Sequence, residues 1–327
     1  MKIFIYLQIK RSQMKKVFQT MLAYHREHYE SSLYLKVGVL VAALLAFNYS
    51  LDFEDEYIDA FRGSWLRVLW YFLYLGIPFL ATAWLLHIHG KAERWFSEPS
   101  FWILFGLGFF VLAMDRSFFL GDVFYQEMPK ATRGFWYRVI NWSSSLLTQA
   151  LPLILIYEWV DKQKSHKWYG LIPSKFNPKP YLYLLLIAGV FIGLGSFFGD
   201  IQSYYPRYKL SYGQQFTSHH DLPSWISLVL FESSYATNFI TVELFFRGFL
   251  IYAFTRYFGT YAILPMVVTY CVLHFGKPLT ESLSSIVGGY ALGILALHNR
   301  NIWGGVIIHV GVAWLMELFG YLQKVVQ

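Results

Sequence analysis

Charge is scarce in this sequence, and thiols are almost missing. Asp, Glu, Lys and Arg make up 14% of the 327 residues, against about 25% in an ordinary soluble domain. One cysteine, Cys271, excludes an internal disulfide and says nothing about redox compartment. The apolar–polar alternation of a transmembrane β-barrel is absent. So is the His–Glu spacing of the soluble zinc-protease helix motif, and nothing resembles a nucleic-acid-binding module. The first 30 residues hold no uninterrupted apolar core ahead of a small-residue cleavage site, because Lys10, Arg11, Lys15 and Lys16 break them up. There is no internal repeat and no low-complexity tract.

In place of charge the chain has apolar runs near 20 residues long, with 56% hydrophobic and 20% aromatic residues overall. This is the composition of an all-α, polytopic transmembrane bundle of eight or nine spans. The candidate spans are 33–48, 66–89, 101–118, 135–159, 181–199, 225–256, 261–275, 279–298 and 302–322. Residues 1–32 read as a basic cytoplasmic segment, in part an interfacial helix. Residues 33–160 read as N-terminal helices, 161–180 as a cytoplasmic linker with Pro173, Pro178 and Pro180, and 181–327 as the C-terminal core. With the N-terminus inside, the inner segments carry fifteen Lys and Arg and the outer ones eight, as the positive-inside rule requires. The loop 49–64 is acidic, with Asp52, Glu54, Asp55, Glu56 and Asp59 against Arg62 alone.

The chemical candidates lie in the C-terminal core. Glu243 and Arg247 stand four residues apart on one helix face, in the favourable order for an ion pair. Ionisable groups at membrane depth are costly and usually face a protein interior or a wet cavity. A self-neutralising intramembrane pair explains them equally well. His274 and His309 follow in comparable apolar settings, where neutral imidazoles can ligate a metal or bond a water or an oxyanion. A carboxylate in an apolar site can act as a general base. At ~1.5 Å per residue from the span ends, Glu243 and His274 would lie ~20 Å deep and His309 only ~10 Å. Glu232, eleven residues before Glu243, falls on the same face and would line an outer vestibule. The Gly288-Gly289 pair and Gly293 mark a face for close helix packing.

Three separated motifs resemble those of the CAAX-protease and bacteriocin-processing (abortive-infection) family. They are Val242-Glu243-Leu244-Phe245-Phe246-Arg247-Gly248, then Tyr270 four residues before His274, then His309 four residues before Ala313. The resemblance covers about 225–320. It implies motif helices enclosing a polar intramembrane cavity, and a Glu-activated water attacking a peptide bond of a membrane-associated peptide or protein. Glu243, His274, His309 and Arg247 would then be the catalytic set. Glu243, His274 and His309 would also be the candidate ligands if a divalent metal such as zinc takes part. The setting implied is a bacterial cytoplasmic membrane.

The sequence departs from the family at two places. Val242 stands where the family's first Glu is taken as general base, and Ala313 replaces a polar residue. A catalytically silent pseudoprotease that binds a membrane partner, or serves in immunity, is therefore the alternative reading. A small-molecule transporter is a further one, although such proteins usually show repeated halves. Substrate and oligomeric state are not written in the sequence.

Overall fold

The computed structural model describes residues 2–92, 94–162 and 166–326, with the side chains of 2–14, 200 and 326 left outside the description. Among the described residues it is helical throughout, with no strand. The order is α1 (Lys2–His28), α2 (Ser31–Leu51), α3 (Trp65–Ile88), α4 (Pro99–Ser117), α5 (Arg133–Val160), α6 (Lys179–Gly195), α7 (Ser224–Glu243), α8 (Ile263–Val272), α9 (Leu279–Asn299) and α10 (Trp303–Val326), with short turns between. The Lys10 and Arg11 side chains of α1 fall outside the described ones.

Seven stretches among the described residues are long and apolar enough to cross a membrane. They are α2, α3, α4, α5, α9, the first 23 residues of α10, and a 49-residue stretch from Ser224 to Val272. That last stretch is not one rod. It runs through α7 and a π-helical turn over Leu244–Leu250, turns at 253–254, and returns as α8. Together with the shorter apolar α6, this accounts for each of the nine segments read from hydropathy.

Composition explains which helices face out. α2 buries only Leu33, Val37, Val41 and Asn48, leaving large apolar side chains such as Leu35 and Val39 exposed. An exposed apolar surface of this kind suits lipid rather than water. α8 is the opposite case, with all ten residues buried. At about 1.5 Å per residue it is only ~15 Å long. It is a pillar inside the bundle, packed against α3 and α9.

One hydrophobic core joins both halves of the chain. It runs from Leu75 and Phe79 of α3 through Phe101, Phe105 and Phe109 of α4 to Phe245, Phe249 and Phe254 beyond α7. Several rings meet edge-on, as with Phe79 and Phe254 at 5.0 Å and Phe79 and Phe109 at 5.2 Å, an arrangement that aromatic quadrupoles favour. The linker is part of this core: Tyr169 is fully buried, and its ring packs 5.3 Å from that of Phe249.

The basic segments gather at one end of the bundle. Tyr24 of α1 donates to Thr260 O. Glu30 accepts from His89 and Lys91, and these two hydrogen bonds hold its carboxyl below the usual range. Tyr257 donates to Ser100, Arg256 pairs with Asp161, and Ile302 N donates to Gly170 O. We call this the basic face. The acidic loop meets the 273–278 turn at the opposite end, where Asn48 donates to Phe275 O and Tyr49 to Lys277 O.

α4 closes on the core through Gly108, where a Cβ would overlap the Phe249 ring. Gly108→Val should therefore cost about 1–3 kcal/mol by overpacking. Denaturant unfolding in detergent reads this as a lower midpoint, and an unchanged midpoint would refute the close approach.

Candidate active site

Glu243 closes α7 and is completely buried. A lone carboxylate there would be expensive, and three neighbours answer for it. Arg247, also fully buried, places Nη1 2.9 Å from Glu243 Oε1. His309 of α10 brings Nδ1 to 3.0 Å from the same oxygen. Gly305, one turn before His309, presents bare backbone, and a Cβ there would overlap the carboxylate. The π-helical turn Leu244–Leu250 begins at the next residue and is buried along its whole length. Such turns recur at functional sites because they redirect side chains from the regular helical face.

Arg247 contributes charge more than hydrogen bonds. Its guanidinium carbon sits 4.1 Å from the centre of the Tyr270 ring, over the face. Although Nη1 is within ion-pair distance of Glu243, none of the three guanidinium nitrogens meets an acceptor in hydrogen-bond geometry among the described residues. Glu243 Oε2 also lacks a hydrogen-bond partner there. The cation–π contact and the ion pair together hold the guanidinium in place.

Tyr270 is the centre that the sequence reading passed over. It lies on α8, its ring edge-on to Phe246 at 5.0 Å. Its hydroxyl is 3.3 Å from His309 Nε2. The His309 ring also lies tilted against that of Phe239 of α7, with centroids 4.3 Å apart. A carboxylate acceptor at Nδ1 fixes the proton there and leaves Nε2 as the acceptor toward Tyr270. Glu243, His309 and Tyr270 therefore form a chain from a fully buried carboxylate to a phenol. The signal was visible as a Tyr in a motif position that is Phe in the family, but as an aromatic exchange it looked conservative.

The three also share one level. Glu243 is seven residues from the end of the π-helical turn, Tyr270 seven from the start of α8, and His309 six from the start of α10. At about 1.5 Å per residue each is ~10 Å from its helix end. The sequence count had set Glu243 ~10 Å deeper than His309. The span ends read from hydropathy do not mark water at either turn, so the count set His309 too shallow: residues 251–254 are buried. The turn before α10 is buried too, at Asn301 and Ile302.

His274 stands apart from this chain. Its Nδ1 donates to Tyr270 O at 2.8 Å, and its ring lies 4.5 Å from that of Tyr270. It thus joins Glu243 and His309 only through Tyr270. Its turn is clamped from the opposite end of the bundle: Ser282 donates to His274 O, Asn48 to Phe275 O, and Tyr49 to Lys277 O. Glu54 Oε2 also lies against Gly276, and burial pushes the Glu54 carboxyl up against the pull of Arg116.

The expected metal set does not fit this arrangement. No three His, Cys, Asp or Glu side chains among the described residues are grouped to hold an ion. Of the remaining candidates, Glu232 is displaced toward the opposite face, with no hydrogen-bond partner for either carboxylate oxygen among the described residues. Val242 packs on the hydrophobic core, and Ala313 is buried beside Tyr235 and Phe239.

Glu243, His309, Arg247 and Tyr270 thus form one buried polar group inside an apolar helical bundle. Residues 223–315 match the family model for type II CAAX prenyl endopeptidase Rce1-like proteins. This match spans α7 to the middle of α10 and contains Glu243, Arg247, Tyr270, His274 and His309. No curated protein and no solved structure matches the chain.

The Gly305 contact makes a direct forecast. Gly305→Ala should push the carboxylate away and break the bond to His309 Nδ1. In proton–nitrogen NMR of labelled histidine, the His309 Nδ1 proton should lose its downfield position. A resonance unchanged by the substitution would place the carboxylate elsewhere.

Proposed function

We propose that the protein is a membrane-embedded endopeptidase cleaving peptides held at the bilayer, with Glu243 and His309 acting as one water-activating unit. The observation that carries this is the 3.0 Å contact from His309 Nδ1 to Glu243 Oε1, which leaves Nε2 as the lone-pair nitrogen. Glu243 is fully buried whereas the His309 side chain is 14% exposed, so the imidazole is the member that a water can reach. A water that takes the place of the Tyr270 hydroxyl at Nε2 gives up its proton there as its oxygen attacks the peptide carbonyl. Glu243 stabilises the imidazolium that forms, and Arg247 stands beside Glu243 as its counter-charge. The proton then passes from Nε2 to the departing amine, which balances the hydrolysis.

Tyr270 supplies what Ala313 lacks. Its hydroxyl lies on the Nε2 side of His309 and can donate to the carbonyl oxygen as negative charge develops, the role of an oxyanion donor. His274 is bonded through Nδ1, so its Nε2 is an acceptor that can orient the water or the substrate amide. The step is written without a metal because the donor set does not gather around one. The family match makes prenylated peptides ending in a CAAX sequence the first substrates to try, and unprenylated membrane peptides the second.

Val242 in the core and Ala313 in an apolar cluster favour one rival reading, a non-catalytic protein that shelters a membrane partner. Cleavage assays on purified protein separate the two. Glu243→Gln and His309→Ala should each lower the rate ~10²–10⁴-fold. Tyr270→Phe should cost ~10²–10³-fold while leaving peptide binding intact. Full cleavage by Glu243→Gln would sink the catalytic reading, and so would a parent protein that binds peptides but cleaves none.

A further inference from the structure

A second cavity lies at the basic face, away from Glu243. It encloses about 530 Å³ between α1, the chain leading into α6 and the end of α9. That volume is within the range of small-ligand sites. Lys16 of α1, Lys175 of the linker and His298 of α9 line it, with the amides of Asn177 and Asn299 beside them. Its inner wall is ordered: Tyr181 is buried and accepts a hydrogen bond from Asn299, and the buried Asn301 donates to Asn299 O. Leu295 and Val17 add an apolar side.

None of the described residues lining this cavity is acidic, and the sequence around it explains why. Residues 2–26, 162–199 and 282–316 supply the three walls. They contain no Asp or Glu at all, against six, five and one Lys or Arg respectively. Three chain segments far apart in sequence thus meet with cations and amide donors and no counter-charge of their own. General charge bias in inner loops would scatter Lys and Arg over the face. Here Lys16 and Lys175 meet at one half-open hollow, with His298 and the Asn177 and Asn299 amides beside them.

We propose that this cavity is a binding site for the phosphate-bearing headgroup of an anionic phospholipid. Basic pockets between helices at a membrane face are suited to such headgroups, where Lys supplies charge and the acyl chains remain in the bilayer. The amides add donors to phosphate or glycerol oxygens, and Leu295 and Val17 border the glycerol backbone. The site is also wired into the structure. The Tyr181 ring packs where a Cβ of Gly304 would stand, and the next residue, Gly305, backs the Glu243 carboxylate.

The test is lipid retention by the full-length protein in native mass spectrometry, after exchange into detergent with phosphatidylglycerol or phosphatidylcholine. The parent protein should retain phosphatidylglycerol over phosphatidylcholine. Lys16→Glu with Lys175→Glu should lower that retention about tenfold or more. Lys15→Glu with Lys167→Glu, the same charge change outside the cavity lining, should leave it unaltered. Lys175→Gln alone, at an exposed linker position, gives a smaller loss and serves if the double variant does not fold. Glycerol phosphate in solution should compete only weakly. Equal retention by parent and cavity variants overturns the proposal, as does equal retention of the two lipids. Glycerol phosphate binding as tightly as the lipid would overturn the headgroup assignment in favour of a soluble anion.

Discussion

A carboxylate with no access to water has to be neutralised by the protein around it, and much of the C-terminal half is arranged to do so for Glu243. Its partners come from different helices. Arg247 is four residues on, at the π-helical turn; His309 and Gly305 come from α10. Breaking a buried pair from one side typically costs several kcal/mol, because the other charge is stranded. Each partner is therefore constrained by the rest. Gly305 lacks a side chain because the carboxylate occupies that space. Arg247 lies flat on Tyr270 because its nitrogens find no acceptors elsewhere. The level of His309 follows from α10 beginning inside the bundle.

The N-terminal helices give this arrangement its rigidity. α8 carries Tyr270 near its C-terminal end and leads directly into the turn bearing His274. It is too short to reach both faces, so others must hold its ends. Asn48 and Tyr49 at the end of α2 grip the His274 turn. At the basic face, Tyr24 and His28 of α1 bond to Thr260, just ahead of α8. The aromatic stack of α3 and α4 fills the side between. A site in the last third of the chain is thus positioned by contacts more than 200 residues away in sequence.

That separation also decides what could be read without the structure. Glu243 and Arg247 were legible because helical spacing is local: four residues apart means one face. The helical membrane class was legible because it follows from composition and run length. The face-by-face grouping of the loops was legible from the distribution of Lys and Arg, although charge counts do not say which loop touches which. The depth of His309 was misjudged because hydropathy marks where apolar residues stop, and here the chain turns while still buried, at 251–254 and 301–302. Tyr270 was named only as an aromatic motif residue. A hydroxyl matters through what it faces, and the imidazole it faces is 39 residues away. The grip of Asn48 and Tyr49 on the His274 turn left no trace in periodicity at all.

The two departures from the family pattern acquire a common explanation in this geometry. Adjacent positions on a helix point about 100° apart, so a carboxylate at 242 and one at 243 do not address the same space. Val242 faces the apolar core, and Glu243 faces Arg247, Gly305 and His309. With no carboxylate at 242, the site has one acid, and that acid is too deeply buried to meet water itself. Among the described residues the hydrogen bond from Glu243 leads to the imidazole of His309, which is the proton acceptor in the reaction proposed above. Ala313 withdraws a polar group from one side of that imidazole, and Tyr270 adds a hydroxyl on its Nε2 side, where a Phe could offer none. Val242, Tyr270 and Ala313 together leave His309 at the polar centre, with Glu243 at one ring nitrogen and the Tyr270 hydroxyl at the other. If the protein were only a relic, there would be no reason for the hydroxyl at 270 to be directed at the one ring nitrogen left free by Glu243.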